Sequence, residues 1–479
     1  MELRDYQQKA IELLRNSLRS GKRLPVLQMS TGAGKTVVAG EIIKSAVSRG
    51  KKVAFIVDRL TLIDQASKHL HAIGVDHGII QANHPMTDYA KPVQVVSAQT
   101  MARRYPWEFD LAIIDECHIV FKAHAKLMQT WNNIPFIGLS ATPYTKGLGN
   151  VYDDLIVPIT IHELIDEGYL VDADIYGPSK PNMKGVKTVG DDFNQKQAAE
   201  RSMDQKLIAS ITDTWEKLAE GRQTICFATN VIHSKTIVER FQSIGVNAQH
   251  IDAYTNTDNR KEIIEQFKTG EVKLLSSVGV LTTGFDAPNA EYGILARPTK
   301  SLSLHIQMIG RLLRPFEGKQ AIIADHAGNF ERLGFHTDEL PTVLDKHKKG
   351  EKKPPEPKKP LPKPCKVCGF MKPPKVHQCP KCGFAPQKQN DIEEAEGELK
   401  QMKKANRDYT PDQKSNFYSG LLGYAMEKGY AKGWAAHKYR AKFGVWPNSY
   451  KDCKPLKPSE EVNNFIRYLN IKRAKSKAA

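Results

Sequence analysis

The sequence predicts an α/β protein of two tandem domains with parallel sheets, followed by a small module of four cysteines and a C-terminal helical segment. Short apolar strands alternate with helical stretches in two regions, a Lys/Pro-rich run comes next, and two Cys-x-x-Cys pairs follow it. A chain of 479 residues exceeds what one hydrophobic core normally organises, so several domains are expected.

The first domain is predicted over residues 1–155. Ala10, Ile11, Leu14 and Leu18 form the apolar face of a first helix, which Gly21 ends. Strands that alternate with helices indicate a parallel sheet covered on both faces, with functional loops after the carboxyl ends of the strands. The predicted strands lie at 26–27, 53–57, 93–96, 111–114 and 136–139.

The second domain is predicted over residues 206–345, because the alternating pattern returns there. Its elements are expected as strands at 224–227, 273–276 and 321–324 and helices at 234–241 and 260–267. The other segments are predicted as a connecting segment at 156–205, an extended Lys/Pro linker at 346–364, the cysteine module at 365–384 and a basic helical region at 385–479.

The net charge of +17 is concentrated at the C-terminal end. Residues 346–385 carry 12 Lys and Arg against 2 acidic residues and residues 386–479 carry 19 against 11, whereas residues 1–345 are nearly neutral. A basic tail indicates a polyanionic partner, with a merely solvated tail as the alternative. Because the chain has no run of about 18 apolar residues and no signal-peptide pattern, we expect a cytoplasmic protein without membrane contact.

A Gly-rich segment follows the first predicted strand and opens the next helix. Backbone N–H groups of such a loop cradle phosphates, while Lys35 reaches the outer phosphates and Thr36 holds Mg²⁺. Met29 stands where the strict form of this motif has its first Gly. The predicted nucleotide-binding residues are Thr31, Gly32, Ala33, Gly34, Lys35 and Thr36.

An acidic pair follows the strand predicted at 111–114. Asp115 is expected to hold Mg²⁺, and Glu116 to orient and deprotonate the attacking water. The alternative for an acidic pair at the end of a strand is an ordinary helix start. The Gly-rich segment makes the catalytic interpretation the stronger one.

A second phosphate-handling segment, Gln-Met-Ile-Gly-Arg-Leu-Leu-Arg, spans residues 307–314. Arg311 and Arg314 are three residues apart, so we expect them on one face of one helix, where they would stabilise a transferring γ-phosphate. The two segments lie on different domains and must close on ATP. The sequence therefore predicts hydrolysis that is tied to domain motion.

In chain order these segments resemble the motifs of superfamily 2 helicases over about residues 1–330. The resemblance rests on six segments: Leu3-Arg4-Asp5-Tyr6-Gln7, Lys35-Thr36, Asp115-Glu116-Cys117-His118, Ser140-Ala141-Thr142-Pro143, Leu281 to Pro288 and Gln307 to Arg314. It implies two RecA-like P-loop domains. The chain is most similar to RadD-type bacterial and phage DNA repair helicases, which share the appended zinc module.

The resemblance also implies roles that spacing does not assign. Cys117 and His118 stand where DEAD-box RNA helicases have Ala-Asp, so the chain resembles the DExH branch and RNA unwinding is less expected. The implied roles are adenine recognition for Gln7, coupling of hydrolysis to nucleic-acid binding for Ser140 and Thr142, ATP sensing between the domains for Gly284 and Asp286, and catalysis at the γ-phosphate for Gln307, Arg311 and Arg314, with Arg314 the preferred arginine finger.

Two further segments fall where this superfamily contacts the nucleic-acid backbone, namely Asp58-Arg59-Leu60 with Gln65, and residues 97–100. Short hydroxyls and Arg at such positions would bind phosphates without reading bases. Ordinary loop residues are the alternative. His233 and His305 receive no role.

Two Cys-x-x-Cys-Gly turns with ten residues between them predict a structural Zn²⁺ site. The ligands are Cys365, Cys368, Cys379 and Cys382, with His377 as a spare candidate. Four sulfur ligands leave no open position for catalysis, so the small basic module is expected to bind a partner. The other cysteines, Cys117, Cys226 and Cys453, are expected to be free thiols.

Aromatic and basic residues alternate through residues 424–446. Rings beside cations suit single-stranded nucleic acid, since rings stack on bases and cations meet phosphates. Trp434, Tyr439, Phe443 and Trp446 could equally be the core of a small helical domain. The sequence leaves these two interpretations open.

Taken together, the sequence predicts an ATP-dependent DNA helicase or translocase, used in DNA repair or recombination. It would bind ATP, Mg²⁺ and structural Zn²⁺, act on single-stranded or junction DNA, and have a repair or single-strand-binding protein as a further partner of its C-terminal region. The alternatives are an RNA helicase, the translocating subunit of a restriction system, and an ATP-switched nucleic-acid clamp that does not unwind.

Overall fold

The computed structural model describes residues 2–57, 60–81, 84–97, 99–101, 107–119, 122–281, 287–347, 360–386 and 409–477. The chain divides into two compact units, Met1–Gln387 and Lys388–Ala479. The first unit contains two sheet-based lobes and the cysteine module. In the described ranges no helix combines the length and apolar character that a membrane span requires.

The first lobe is built on a seven-stranded parallel sheet, which confirms the predicted sheet type. Its strands are β1 (Pro25–Gln28), β2 (Val53–Val57), β3 (Gly78–Ile80), β4 (Val93–Ser97), β5 (Leu111–Asp115), β6 (Phe136–Ser140) and β7 (Asp154–Ile156). They lie in the order β3-β4-β2-β5-β6-β1-β7. Strands β1, β2, β4 and β6 are buried along their whole length, because helices cover both faces.

The helices of this lobe are α1 (Asp5–Arg19), α2 (Lys35–Val47), α3 (Leu60–Ala72) and α4 (Lys122–Thr130). The strand order makes β5, β6 and β1 neighbours. All strands are parallel, so the loops after these three strands leave the same edge of the sheet. This edge carries the Gly-rich segment, the acidic pair and the residues that follow Ser140.

The second lobe has a six-stranded parallel sheet in the order β12-β13-β11-β14-β15-β8. The strands of this sheet are β8 (Ala173–Tyr176), β11 (Thr224–Phe227), β12 (Ala248–Ile251), β13 (Leu274–Ser277), β14 (Tyr292–Leu295) and β15 (Ala321–Asp325). Strands β9 (Thr188–Val189) and β10 (Asp192–Phe193) form a separate antiparallel hairpin. The helices between them are α5 (Ile161–Asp166), α6 (Gln195–Ser202), α7 (Gln205–Leu218), α8 (Val231–Ser243), α9 (Thr257–Thr269), α10 (Leu302–Gly310) and α11 (Phe330–Leu333).

One strand of the second lobe comes from the segment that the sequence treats as a connection. Strand β8 pairs with β15 at the edge of the sheet, with Ala173 opposite Ala321. Its four residues, Ala-Asp-Ile-Tyr, are too short a run to give a recognisable strand pattern. An edge strand has one neighbour, so its pairing depends on a distant part of the chain rather than on its own composition.

The chain returns to the first lobe after completing the second. Leu344 is buried in a hydrophobic cluster of the first lobe, together with Leu148 and Tyr152. The N–H of Gly149 donates to the carbonyl oxygen of Asp345 at 2.8 Å, and the N–H of Gly147 donates to its carboxylate at 3.2 Å. We call residues 344–347 the return segment; the sequence assigns them to the second domain and the linker.

The cysteine module packs on the free edge of β8. The N–H of Gly177 donates to the carbonyl oxygen of Gly369 at 2.8 Å, and the rings of Tyr176 and Phe370 meet edge to face at 5.6 Å. Lys381 pairs with Asp174 at 2.7 Å. Strands β16 (Lys363–Pro364) and β17 (Met371–Lys372) form a small hairpin within the module. One face of the module is therefore occupied by the second lobe.

The four cysteines of the module fit a tetrahedral zinc site. Cys365 and Cys382 have their sulfurs 3.7 Å apart, as do Cys368 and Cys379, and all four sulfurs lie within 4.8 Å of one another. Four ligands at a Zn–S distance of about 2.3 Å have their sulfurs about 3.8 Å apart. The cluster of four cysteines is therefore compatible with zinc, and its sulfur set favours that ion over Mg²⁺ or Ca²⁺.

The C-terminal unit is helical. It contains α12 (Pro411–Glu427), α13 (Lys432–Phe443) and α14 (Glu460–Lys477). Its core holds Phe417, Leu421, Tyr439, Val462 and Ile466. Of the aromatic residues left open by the sequence, Tyr439 is buried, Trp434 and Phe443 pack partly against this core, and Trp446 is exposed. The predicted aromatic run thus serves both a core and a surface.

We predict that Leu344→Ala destabilises the first lobe. Removing a buried leucine side chain leaves a cavity that costs about 2–5 kcal/mol, which lowers the unfolding temperature by about 5 °C or more. Calorimetry of the full chain measures this. Val343→Ala is the matched control, since Val343 is 75% exposed; equal melting of the two variants would contradict the buried return segment.

We predict about one zinc ion per chain, lost in Cys365→Ser and Cys379→Ser and retained in the control Cys453→Ser. Elemental analysis of freshly purified protein measures the content. Since Phe370 of the module packs on Tyr176 of β8, chelation should also lower the unfolding temperature of the second lobe. Fresh protein without metal would refute the zinc assignment.

Candidate active site

The Gly-rich segment forms a tight loop that the start of α1 holds in place. The hydroxyl of Tyr6 and Nε2 of Gln7 both donate to the carbonyl oxygen of Ala33, at 3.0 and 3.2 Å. Gly34 has φ of 79°, and a Cβ there would lie 2.4 Å from Nε2 of Gln7, so only glycine fits. Gln7, predicted to recognise adenine, thus lies against the Gly-rich segment.

Gly34 is also the N-cap of α2 and offers no side chain to the first helical N–H groups. These N–H groups and the helix dipole therefore favour an anion at this end of α2. Lys35 and Thr36 occupy the first turn of this helix. The arrangement suits the phosphates of a nucleotide.

Lys35 lies between the two acidic residues that follow β5. Its Nζ is 2.8 Å from Oδ1 of Asp115 and 2.6 Å from Oε1 of Glu116. Burial alone would lower the pKa of Lys35, but the two carboxylates outweigh burial and hold that pKa above its ordinary value. Burial alone would raise the pKa of Glu116, yet Lys35 and His118 hold it well below its usual range. Lys35 and Glu116 therefore stay charged at neutral pH.

Glu116 adopts an unusual backbone conformation. Its φ of 49° lies in the left-handed region, which a residue with a side chain rarely occupies. His118 stands two residues after Glu116. Its Nδ1 lies 3.3 Å from Oε2 of Glu116 and 3.0 Å from Oγ of Ser140. Such strain is found where surrounding contacts fix a functional side chain. Here the contacts to Lys35 and His118 hold the Glu116 carboxylate.

A direct contact joins this site to the second lobe. Nε2 of Gln307 on α10 lies 3.1 Å from Oγ1 of Thr142 and 3.2 Å from Nε2 of His118. The Gln307 amide nitrogen can only donate, so Nε2 of His118 is its acceptor, while Nδ1 of His118 faces Ser140 and Glu116. Ser303 adds a hydrogen bond to the carbonyl oxygen of Thr142 at 3.0 Å. The second lobe thus contacts the residues around the acidic pair.

The expectation that Arg311 and Arg314 share one helical face is wrong. Helix α10 ends at Gly310, so Arg311 is its C-cap and Arg314 lies in the following turn. Pro315 keeps the helix from including Arg314, because a proline disfavours helical conformation at the preceding residue. Arg314 still lies beside the Gly-rich segment: its Cγ is 3.6 Å from where a Cβ of Gly32 would be.

The structure brings most predicted site residues to one cleft between the lobes. Gly284, Asp286, Asp58, Arg59 and Ala98 lie outside the described residues. The predicted backbone-binding segment after β4 is described in part; there Oγ of Ser97 accepts the N–H of Thr100 at 3.1 Å in a local turn. The roles of all these residues remain predictions.

Sequence reasoning missed three residues that shape this cleft. His118 was part of a recognised motif, and its position two residues after Glu116 was the available signal. Tyr6 adjoins Gln7 but had no assigned role. Leu170 lies in the connecting segment, and no sequence pattern pointed to it. Its Cδ2 is 3.1 Å from where a Cβ added to Gly32 of the Gly-rich segment would be.

Comparisons with known proteins agree with this architecture. A family model described as type III restriction enzyme, res subunit, matches residues 1–145, and one described as helicase conserved C-terminal domain matches residues 205–315. A solved fragment of a putative HsdR subunit of a type I restriction enzyme from Vibrio vulnificus has the same fold, with a TM-score of 0.56 and 22% identity over 71% of this chain and 66% of that one.

Two curated relatives are named as a helicase and a translocase. A putative ATP-dependent helicase IRC3 of Saccharomyces cerevisiae is 31% identical over 69% of this chain, which spans about half (51%) of the yeast protein. A DNA 3'-5' translocase XPB2 of Sulfurisphaera tokodaii is 24% identical over 68% of this chain and 81% of its own length. The two domain matches and these relatives support an ATP-hydrolysing helicase with the domain pair of superfamily 2.

Proposed function

We propose that this helicase moves along DNA at the expense of ATP, and that its biological use is DNA repair or recombination, as in the RadD-type enzymes that it resembles. The observation that carries the proposal is the contact of Gln307 with Thr142 and His118. It connects a residue of the second lobe to the residues beside the hydrolytic carboxylate. A change at the nucleotide therefore has a short path to the other lobe.

The residues of the first lobe suit the binding of ATP and Mg²⁺. The hydroxyl of Thr36 and the carboxylate of Asp115 are the hard oxygen ligands that Mg²⁺ prefers. When bound, the ion neutralises charge on the transferring phosphate. Lys35 would bind the outer phosphates, since it opens α2 directly after the Gly-rich segment. Glu116 would orient and deprotonate the attacking water.

The second lobe would complete the ATP site from the opposite side. Arg314 packs beside Gly32 of the Gly-rich segment. Gly310 lies so close to Thr31 that a Cβ added to Gly310 would be 3.0 Å from the Cβ of Thr31. A guanidinium here can stabilise negative charge on the γ-phosphate. We therefore keep Arg314 as the preferred arginine finger, with Arg311 and Gln307 beside it.

Movement on DNA, rather than RNA, is favoured by the name of the archaeal DNA translocase among the relatives and by His118 at the end of the acidic motif. A second candidate is the translocating subunit of a restriction system. The match of residues 1–145 to the restriction-enzyme family favours it. An RNA helicase and an ATP-switched clamp that does not unwind are two further candidates, and the polymer that stimulates hydrolysis distinguishes among them.

We predict that Lys35→Ala abolishes ATP hydrolysis. The substitution removes the phosphate-binding ammonium and leaves two carboxylates without their cation, so we expect a loss of about 100-fold or more. Steady-state hydrolysis is measured without polymer and with single-stranded DNA, duplex DNA or RNA. Lys44→Ala, an exposed change on the same helix, is the control.

The polymer comparison tests the proposed function. Stimulation by single-stranded DNA that Lys35→Ala abolishes supports a DNA enzyme, and strand displacement then separates a helicase from a clamp. Stimulation by duplex DNA without displacement would favour the restriction-type translocase. Stimulation by RNA alone would overturn the assignment to DNA.

We predict that Thr142→Val uncouples hydrolysis from DNA. Valine keeps the volume but removes the hydroxyl that Gln307 meets at 3.1 Å, while Lys35 and Glu116 keep their contacts. We expect basal hydrolysis to change less than about threefold and DNA stimulation to fall about tenfold, a loss of about 1.4 kcal/mol in coupling. Thr142→Ser, which retains the hydroxyl, should behave like wild type; equal stimulation in the valine variant would refute this path.

A further inference from the structure

We propose that the C-terminal unit carries its own binding surface for single-stranded DNA, formed by His437, Arg440, Val445 and Trp446. We call it the Trp446 surface. The inference deepens the proposed function and rests on it, because the surface would hold the same DNA that the lobes act on. It assigns a substrate contact to a unit that holds none of the predicted ATP-site residues.

The surface is built by the end of α13 and the turn after it. Gly444 has φ of 76° and ends the helix, so the chain folds back and brings Trp446 to the side of α13. The Arg440 guanidinium lies 4.7 Å from the centre of the Trp446 ring, and the His437 ring meets that ring at 5.0 Å and 73°. Three side chains that are separate in sequence thus form one cluster.

The cluster faces solvent, in contrast to the neighbouring aromatics. Trp446 is 41% exposed and Val445 is 56% exposed, and His437 and Arg440 are exposed as well. Tyr439, on the other side of α13, is buried in the core of the unit. The core therefore does not need the Trp446 ring, and Trp446 with its exposed neighbours Val445, His437 and Arg440 forms a contiguous patch that is open to a ligand.

The surface continues one turn earlier along α13. The Lys438 ammonium lies 5.5 Å from the Trp434 ring, and the Tyr430 ring, which is 50% exposed, lies 5.0 Å from Trp434. Rings and cations therefore follow each other along the helix rather than at one isolated point. A chain of bases and phosphates presents its groups in the same alternating way.

Charge identifies the occupant as a polyanion. Residues 409–477 carry 14 Lys and Arg against 5 Asp and Glu. Cations alone would suit any polyanion, but exposed rings add stacking on bases, which strengthens binding by roughly tenfold or more per base. Base faces are accessible only when strands are unpaired, which favours single-stranded DNA over duplex DNA. An acidic protein, which offers no flat bases, is the competing occupant.

The test is binding of a fluorescent oligomer of about 20 dT nucleotides to the full chain, without ATP, measured by anisotropy. The double variant Arg440→Ala/Trp446→Ala should raise the dissociation constant about tenfold or more and reduce its salt dependence. The matched control is Tyr468→Ala/Lys472→Ala, which removes an exposed ring and an exposed lysine from α14. Trp446→Phe, which keeps a ring, should retain most of the affinity.

Three outcomes would overturn the proposal. The first is equal affinity in the double variant and the control at unchanged melting temperature. The second is an equal loss of affinity for duplex DNA in the double variant, which would mean that the surface recognises only the charge of the phosphates. The third is competition by polyglutamate as effective as that by the oligomer, which would point to an acidic protein.

Hydrolysis assays separate this proposal from the proposed function. At saturating DNA, the double variant should hydrolyse ATP at the wild-type rate. The DNA concentration that gives half of this maximal rate should rise about tenfold. If DNA does not stimulate hydrolysis in any variant, the proposed function fails. The anisotropy measurement still decides whether the Trp446 surface binds, because it needs no ATP.

Discussion

The hydrogen bonds of the Gln307 amide are the constraint on which the site depends. One short side chain of the second lobe touches both His118, which faces the Glu116 carboxylate, and Thr142, which follows β6. These groups are largely buried, so an amide that moved away would leave polar atoms without partners. The acidic pair and the position of the second lobe are therefore not independent.

Much of this site could be predicted from the sequence, because its residues lie directly after buried strands. The loops after β1, β5 and β6 were correctly expected at one edge of a parallel sheet, and the Gly-rich segment and acidic pair meet there. The helical placement of Arg311 and Arg314 was wrong, since spacing does not reveal where a helix ends. Strand β8 and the return segment were missed, because their partners are remote in sequence and each segment is only four residues long.

The C-terminal unit illustrates why one sequence pattern supported two interpretations. Aromatic and basic residues on α13 serve both sides of the same helix: Tyr439 faces the core, while Arg440 faces solvent beside Trp446. Adjacent residues on a helix point in directions about 100° apart, so a dense run of rings cannot be assigned to one face without the fold. The choice between core and surface was decided by the turn at Gly444, which returns Trp446 to the helix.

Strand β8 has a consequence for how the chain assembles. It is synthesised before almost all of the second lobe, yet its two neighbours, β15 and the cysteine module, come near the end of the first unit. Its backbone groups remain unpaired while the intervening strands are made, and long-range pairing of this kind is slow. An uncovered edge invites association with other chains, and its short length with Asp174 limits that hazard. The module that covers this edge is thus the last of these partners to be synthesised, so the outer side of β8 stays uncovered until residues 363–382 have been made.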